Sequence, residues 1–106
     1  MLRIYPVVLE LAKELRPSLQ AIQRRDADLA RQFRRALTSV PLNLSEGSYS
    51  RGGNRSARYH TAAGSLREVL SCLEVGAALG YCAEPDAELR RRFDHVLGTL
   101  VRLVGR

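Results

Sequence analysis

Apolar residues recur at steps of three and four along four stretches of this 106-residue chain, with short connections between them. That period belongs to amphipathic helices, each of which must bury one stripe against its neighbours. Short connections make sequential helices antiparallel. The expected fold is therefore all-α, a single domain over 1–106 arranged as an up-down-up-down antiparallel four-helix bundle.

The first helix is expected at about 3–25, with Ile4, Val7, Val8, Leu11, Leu15, Leu19 and Ile22 as its stripe. Pro6 falls in the first turn, where it is tolerated, and Pro17 predicts a kink. The second spans about 27–48, with Asp26 as N-cap and Asp28 at the positive end of its dipole. Its stripe is Leu29, Phe33, Ala36, Leu37, Val40 and Leu44. The third spans about 55–80, capped by Asn54 and stopped by Gly80. It has two candidate faces. One holds Tyr59, Ala62, Ala63, Leu66, Leu70, Leu73 and Ala77; the other holds Thr61, Gly64, Ser65, Glu68, Cys72, Val75 and Leu79. The fourth spans about 85–104, with Pro85 in its first turn between two acids. Leu89, Phe93, Val96, Leu97, Leu100, Val101 and Val104 form its stripe.

Composition narrows the partners. With no Trp and two Phe, the core must be mostly aliphatic. Lys and Arg total 17, and all but Lys13 are Arg, giving a net charge of +6. A guanidinium fork suits phosphate, so an anionic partner such as nucleic acid is favoured. The plainer reading is a GC-rich gene that uses Arg for any solvated cation. Cys72 and Cys82 would stand roughly 15 Å apart on one helix, too far for a disulfide. No apolar run approaches the ~20 residues of a membrane span. Glu10, Lys13 and Glu14 interrupt any signal-peptide pattern. Reduced thiols and a cytoplasmic location are expected.

Ser39-Val-Pro-Leu-Asn-Leu-Ser-Glu-Gly47 is unusual inside an amphipathic helix. Proline removes a backbone donor, while Asn and Glu beside an apolar face need partners. Ser39, Asn43 and Glu46 flank the stripe on one side. Antiparallel pairing brings them beside Ser65 and Glu68. A satisfied network that fixes helix register is the structural reading; a catalytic pair of Glu46 and Glu68 is the functional one. No His, Cys or Lys accompanies the carboxylates, and the Glu-x-x-His motif of di-metal bundles is absent. His60 and His95 have no ligand-spaced partner, so both read as surface or interface histidines. No catalytic residue, metal or cofactor is expected.

The linker to the third helix carries Arg51, Arg55 and Arg58 and no acid. Cations at a helix start are unfavourable unless an anion binds there. Tyr49 and Tyr59 could stack on unpaired bases. The plain reading is a solvated loop. Arg31, Arg34 and Arg35 form a second basic face, and Arg90, Arg91 and Arg92 a third that nearby acids offset. Leu9, Leu42, Val75 and Leu79, next to the small residues Gly64 and Gly76 and the proline at Pro41, read as apolar positions left for subunit packing.

Through these residues the chain resembles the 23S rRNA intervening-sequence protein family. The likeness rests on Ser39–Gly47, on Gln32-Phe-Arg-Arg-Ala36, on Ala63-Gly-Ser-Leu-Arg-Glu68 and on Ala78-Leu-Gly-Tyr81. It covers about 4–104 and departs at Tyr59-His60-Thr61, where members usually carry more apolar or aromatic residues. The resemblance implies a four-helix bundle assembled as a homopentameric ring. Some members are encoded within rRNA genes. A similar bundle is an accessory protein of a reverse transcriptase that contacts nucleic acid. The combined expectation is a non-enzymatic, RNA-binding homo-oligomer that meets phosphates through Arg31, Arg34, Arg35, Arg51, Arg55 and Arg58, with Tyr49 beside them. The alternative is a protein-interaction scaffold or accessory subunit of a nucleoprotein complex.

Overall fold

A computed structural model describes residues 2–105. Over these residues the fold is all-α, with five helices rather than four. They are α1 (Ile4–Glu14), α2 (Arg16–Arg25), α3 (Ala27–Ser48), α4 (Gly52–Ala78) and α5 (Ala87–Val104).

The extra helix arises where the first expected one divides. Leu15 leaves ideal helical geometry at φ −84 and ψ −6, and Pro17 begins α2 at its first positions. Proline cannot donate to the turn before it, so the break falls just upstream. Backbone bonds still cross it, from Leu15 N–H to Leu11 O and from Leu19 N–H to Leu15 O. The stripe therefore stays in register, with Leu11, Leu15 and Ile22 all buried. Pro41, by contrast, sits within α3 without dividing it.

The ends of α3 and α4 follow local chemistry. Asp26 accepts from Leu29 N–H at 2.9 Å and starts α3. Gly80, at φ +79, closes α4: its N–H bonds Ala77 O and Tyr81 N–H bonds Gly76 O. That is the paired geometry by which a left-handed glycine satisfies the last carbonyls. Two expected starts move. α4 begins at Gly52, not 55, because Gly52 takes φ +55 directly after extended Arg51. Asn54 thus lies inside the helix and caps nothing. α5 begins at Ala87, with Asp86 accepting from Leu89 N–H at 2.8 Å, so Pro85 precedes the helix.

Cross-helix contacts fix the directions. Ser39 meets Ser65 and Asn43 meets Arg58, so α3 and α4 run antiparallel. Glu74 meets Arg90 and Ser56 meets the carbonyl of Val104, so α4 and α5 do too. Glu14 pairs with Arg92 between α1 and α5, and Arg34 donates to Gln23 between α3 and α2. The core is aliphatic around Phe33 and Phe93, and no polar or charged residue is buried among the described residues. On α4 the buried face is wider than either expected stripe. It takes Val69, Cys72 and Gly76 as well as Tyr59, Ala62, Ala63, Leu66 and Leu73. Val101, assigned to the α5 stripe, is exposed.

Candidate functional site

The outer seam between α3 and α4 collects the polar residues of the proline-bearing segment. Asn43 Nδ2 donates to Ser39 O at 2.9 Å and to Ser39 Oγ at 3.0 Å. Ser65 Oγ donates across the seam to Ser39 Oγ at 2.7 Å. Arg58 donates to Asn43 Oδ1 at 3.3 Å. One amide thus uses both ends, and one α3 hydroxyl is shared with α4. The half-buried position of Ser39, Asn43 and Ser65 makes these partners count, since an unpaired amide there would lose its water bonds without replacement.

Glu46 and Glu68 do not join. Both are exposed, and neither carboxylate bonds to the network residues. The residue that does join is Arg58, which sequence reasoning had placed only in the basic linker. Its spacing of 15 from Asn43 is legible once the pairing of α3 and α4 is known. The seam opens into a cleft of about 490 Å³ lined by Arg35, Thr38, Leu42, Asn43, Ser65 and Glu68, among others.

Replacing Asn43 by Leu removes three hydrogen bonds and leaves Arg58 and Ser39 to water. A loss of about 1–2 kcal/mol in unfolding free energy is expected, together with a change in helix register or assembly. Urea denaturation and light scattering check this; an unchanged midpoint with an unchanged mass contradicts it.

Gly47 ends the segment for a different reason. A Cβ there would lie 2.5 Å from Tyr59 Cε1. Tyr59 is buried, so it packs on bare α3 backbone and is not available for stacking. His60 and Thr61, in the same turn of α4, are exposed, as is His95 on α5.

The arginines divide by partner. Arg31 is held by Asp28, and Arg34 by Gln23 at 2.9 Å. Arg55 Nε donates to Ser50 O at 2.9 Å, which folds it over the turn after α3. Arg35 and Arg51 are exposed and have no carboxylate in ion-pair range among the described residues. Tyr49, at the end of α3, is 81% exposed. Gly52 and Gly53 have nothing within 4 Å of an added Cβ, so the backbone there is open. No acid stands in the first turn of α4. Exposed guanidiniums, an open backbone and an aromatic face are the elements of a phosphate and base contact.

The apolar positions expected at a subunit contact all lie on the surface. Leu42 is 63% exposed, Leu79 55% and Val75 47%, and Gly64 is open. Leu42 points opposite the buried stripe of α3, beside Arg35 and the seam cleft. Cys72 is buried and Cys82 half-buried, both as free thiols. Burial, and then Glu68, pushes the Cys72 thiol above its ordinary range; burial alone raises Cys82. Neither is poised as a thiolate. Among the described residues, no group of three or more metal-ligating side chains occurs and no helix is long and apolar enough to cross a membrane.

The family model described as 23S rRNA-intervening sequence protein matches residues 1–102. No curated protein matches the chain.

Proposed function

Because the chain belongs to the 23S rRNA-intervening sequence protein family, we propose that it binds RNA as a homo-oligomer, without catalysis, through arginine contacts to phosphates. The observation that carries this reading is the surplus of positive charge: a net +6 held almost wholly by Arg, with Arg35 and Arg51 exposed and out of ion-pair range of any carboxylate among the described residues. Taken together, α1 and α2 act as one broken helix, which gives the up-down-up-down four-helix arrangement. A ring of five such bundles, in the cytoplasm, repeats each weak basic patch and raises its effect by avidity. The exposed Leu42, Val75 and Leu79 supply the apolar surface such packing needs. Sequence preference should be weak, since phosphate contacts position but do not specify.

The same apolar set favours a second reading, in which the protein is a scaffold or accessory subunit of a nucleoprotein complex. Exposed Leu42 beside the seam cleft, with Val75 and Leu79 further along α4, would then meet a protein partner.

Replacing Arg51, Arg55 and Arg58 together by Gln should weaken binding to a structured rRNA fragment on the order of tenfold at low salt. The melting temperature should fall modestly, because Arg58 gives up its bond to Asn43 and Arg55 its bond to Ser50 O, both on the exposed surface. Fluorescence anisotropy and circular dichroism read the two effects. Unaltered binding would move the contact to Arg31, Arg34 and Arg35.

A further inference from the structure

The charge of this molecule is divided between its two ends. At one end the α3–α4 turn, the start of α1 and the end of α5 come together. Ser56, in the first turns of α4, donates to the carbonyl of Val104 at 2.9 Å. The start of α1 meets the last turns of α5 in an open cleft of about 250 Å³, lined by Leu2, Arg3, Ile4, Thr99, Arg102 and Leu103. Among the described residues, this end carries Arg3, Arg51, Arg55 and Arg102 against one carboxylate side chain, Glu46 in the last turn of α3. Neither Arg3 nor Arg102 lies in ion-pair range of a carboxylate among the described residues.

The opposite end is built the other way. There Asp26 caps α3 and Asp28 follows it, while Asp86 caps α5 and Glu88 follows it. With Glu84, these five acids face Arg24, Arg25 and, in the first turns of α5, Arg90 and Arg91, which leaves that end close to neutral. Helix starts at that end carry acids, whereas α1 and α4 start with none. The uncompensated guanidiniums thus gather at the first end, and such a field draws a polyanion there.

We infer that single-stranded RNA is held at the basic end of the bundle, with its phosphates on Arg3, Arg51, Arg55 and Arg102 and a base on Tyr49. This rests on the RNA-binding reading above and adds Arg3 and Arg102, far from the other arginines in sequence. The two line one cleft, Arg102 with its Nη2 resting on Thr99 Oγ1 at 3.2 Å, and a guanidinium fork suits a phosphate. Tyr49, 81% exposed at the same end, offers a ring face to an unpaired base. Arg31, ion-paired with Asp28, and Arg34, on Gln23 across the α2–α3 seam, lie toward the other end and contribute little, whereas Arg55 and Arg102 bond only the neutral oxygens of Ser50 and Thr99 at this end.

The test is anisotropy of a fluorescein-labelled oligouridylate against salt, with three full-length proteins. These are the wild type, Arg3→Gln/Arg102→Gln, and Arg31→Gln/Arg34→Gln. The end variant should bind on the order of tenfold more weakly at about 0.1 M salt, and its log–log salt slope should fall by about 1.4. The α3 variant should bind like the wild type, and all three should melt alike. An unaffected end variant beside a weakened α3 variant overturns the end-on site while leaving RNA binding intact. A wild type that ignores the RNA, or binds only phosphatidylserine vesicles, overturns both.

Discussion

Phe33→Ala should lower the unfolding free energy by about 3–5 kcal/mol. Phe33 is wholly buried on α3, and it is one of only two phenylalanines in a chain without tryptophan. The surrounding core is aliphatic, with Ala30 and Ala36 on the same face of α3. Small neighbours offer little bulk to collapse into the space, so both the transfer cost and the cavity cost are felt. Domains of this size hold about 5–15 kcal/mol in total. The variant should therefore melt far below the wild type or fail to fold. Urea denaturation at fixed protomer concentration reads it, since association adds to apparent stability. A loss below about 1 kcal/mol would mean that Phe33 does not anchor the core.

Gly47→Ala should also destabilise, by about 1–3 kcal/mol. The sign is the informative part, because within a helix Gly→Ala ordinarily stabilises by up to about 1 kcal/mol. Here the new Cβ would fall 2.5 Å from Tyr59 Cε1, 2.8 Å from Cδ1 and 3.2 Å from Arg58 Cβ. Tyr59 is only 3% exposed, so its ring cannot swing into solvent without leaving the core. Gly64→Ala is the control. Nothing lies within 4 Å of a Cβ at Gly64, so within one protomer it should gain the ordinary helix propensity. Combining Gly47→Ala with Tyr59→Val should recover part of the loss, a coupling readable in a double-mutant cycle. Stabilisation by Gly47→Ala would show that the close approach of α3 and α4 is not what the glycine serves.

Much of the helix layout was legible in the sequence because it depends on neighbours a few residues apart. The bounds of the 27–48 helix, the Asp26 cap and the Gly80 stop all come from local chemistry. The division near Pro17 was legible as a kink, though not as a break at Leu15. Gly52 misled, since a glycine at positive φ let α4 start three residues before the expected position 55. The buried face of α4 was mistaken for a different reason. The helix packs against both α3 and α5, so Val69 and Cys72 are covered although they lie off a single stripe.

The seam shows the same division between local and tertiary information. Ser39 and Asn43 are four apart on one helix, and their bond follows from that spacing. Ser65 follows from antiparallel pairing. Whether Glu46 and Glu68 turn inward depends on helix rotation, which periodicity does not fix to within one residue, and both stay outside. The basic end depends on which helix ends meet, so Arg3 and Arg102 carry no sequence signal that joins them to Arg51.

The central claim, an RNA-binding homo-oligomer, is tested most directly by absolute mass from light scattering, with and without a structured rRNA fragment, at low and moderate salt. The account predicts a mass near five times the 11.8 kDa chain, which gains the mass of RNA at low salt and sheds it as salt rises. A species of single-chain mass that is indifferent to RNA at every salt concentration would contradict it.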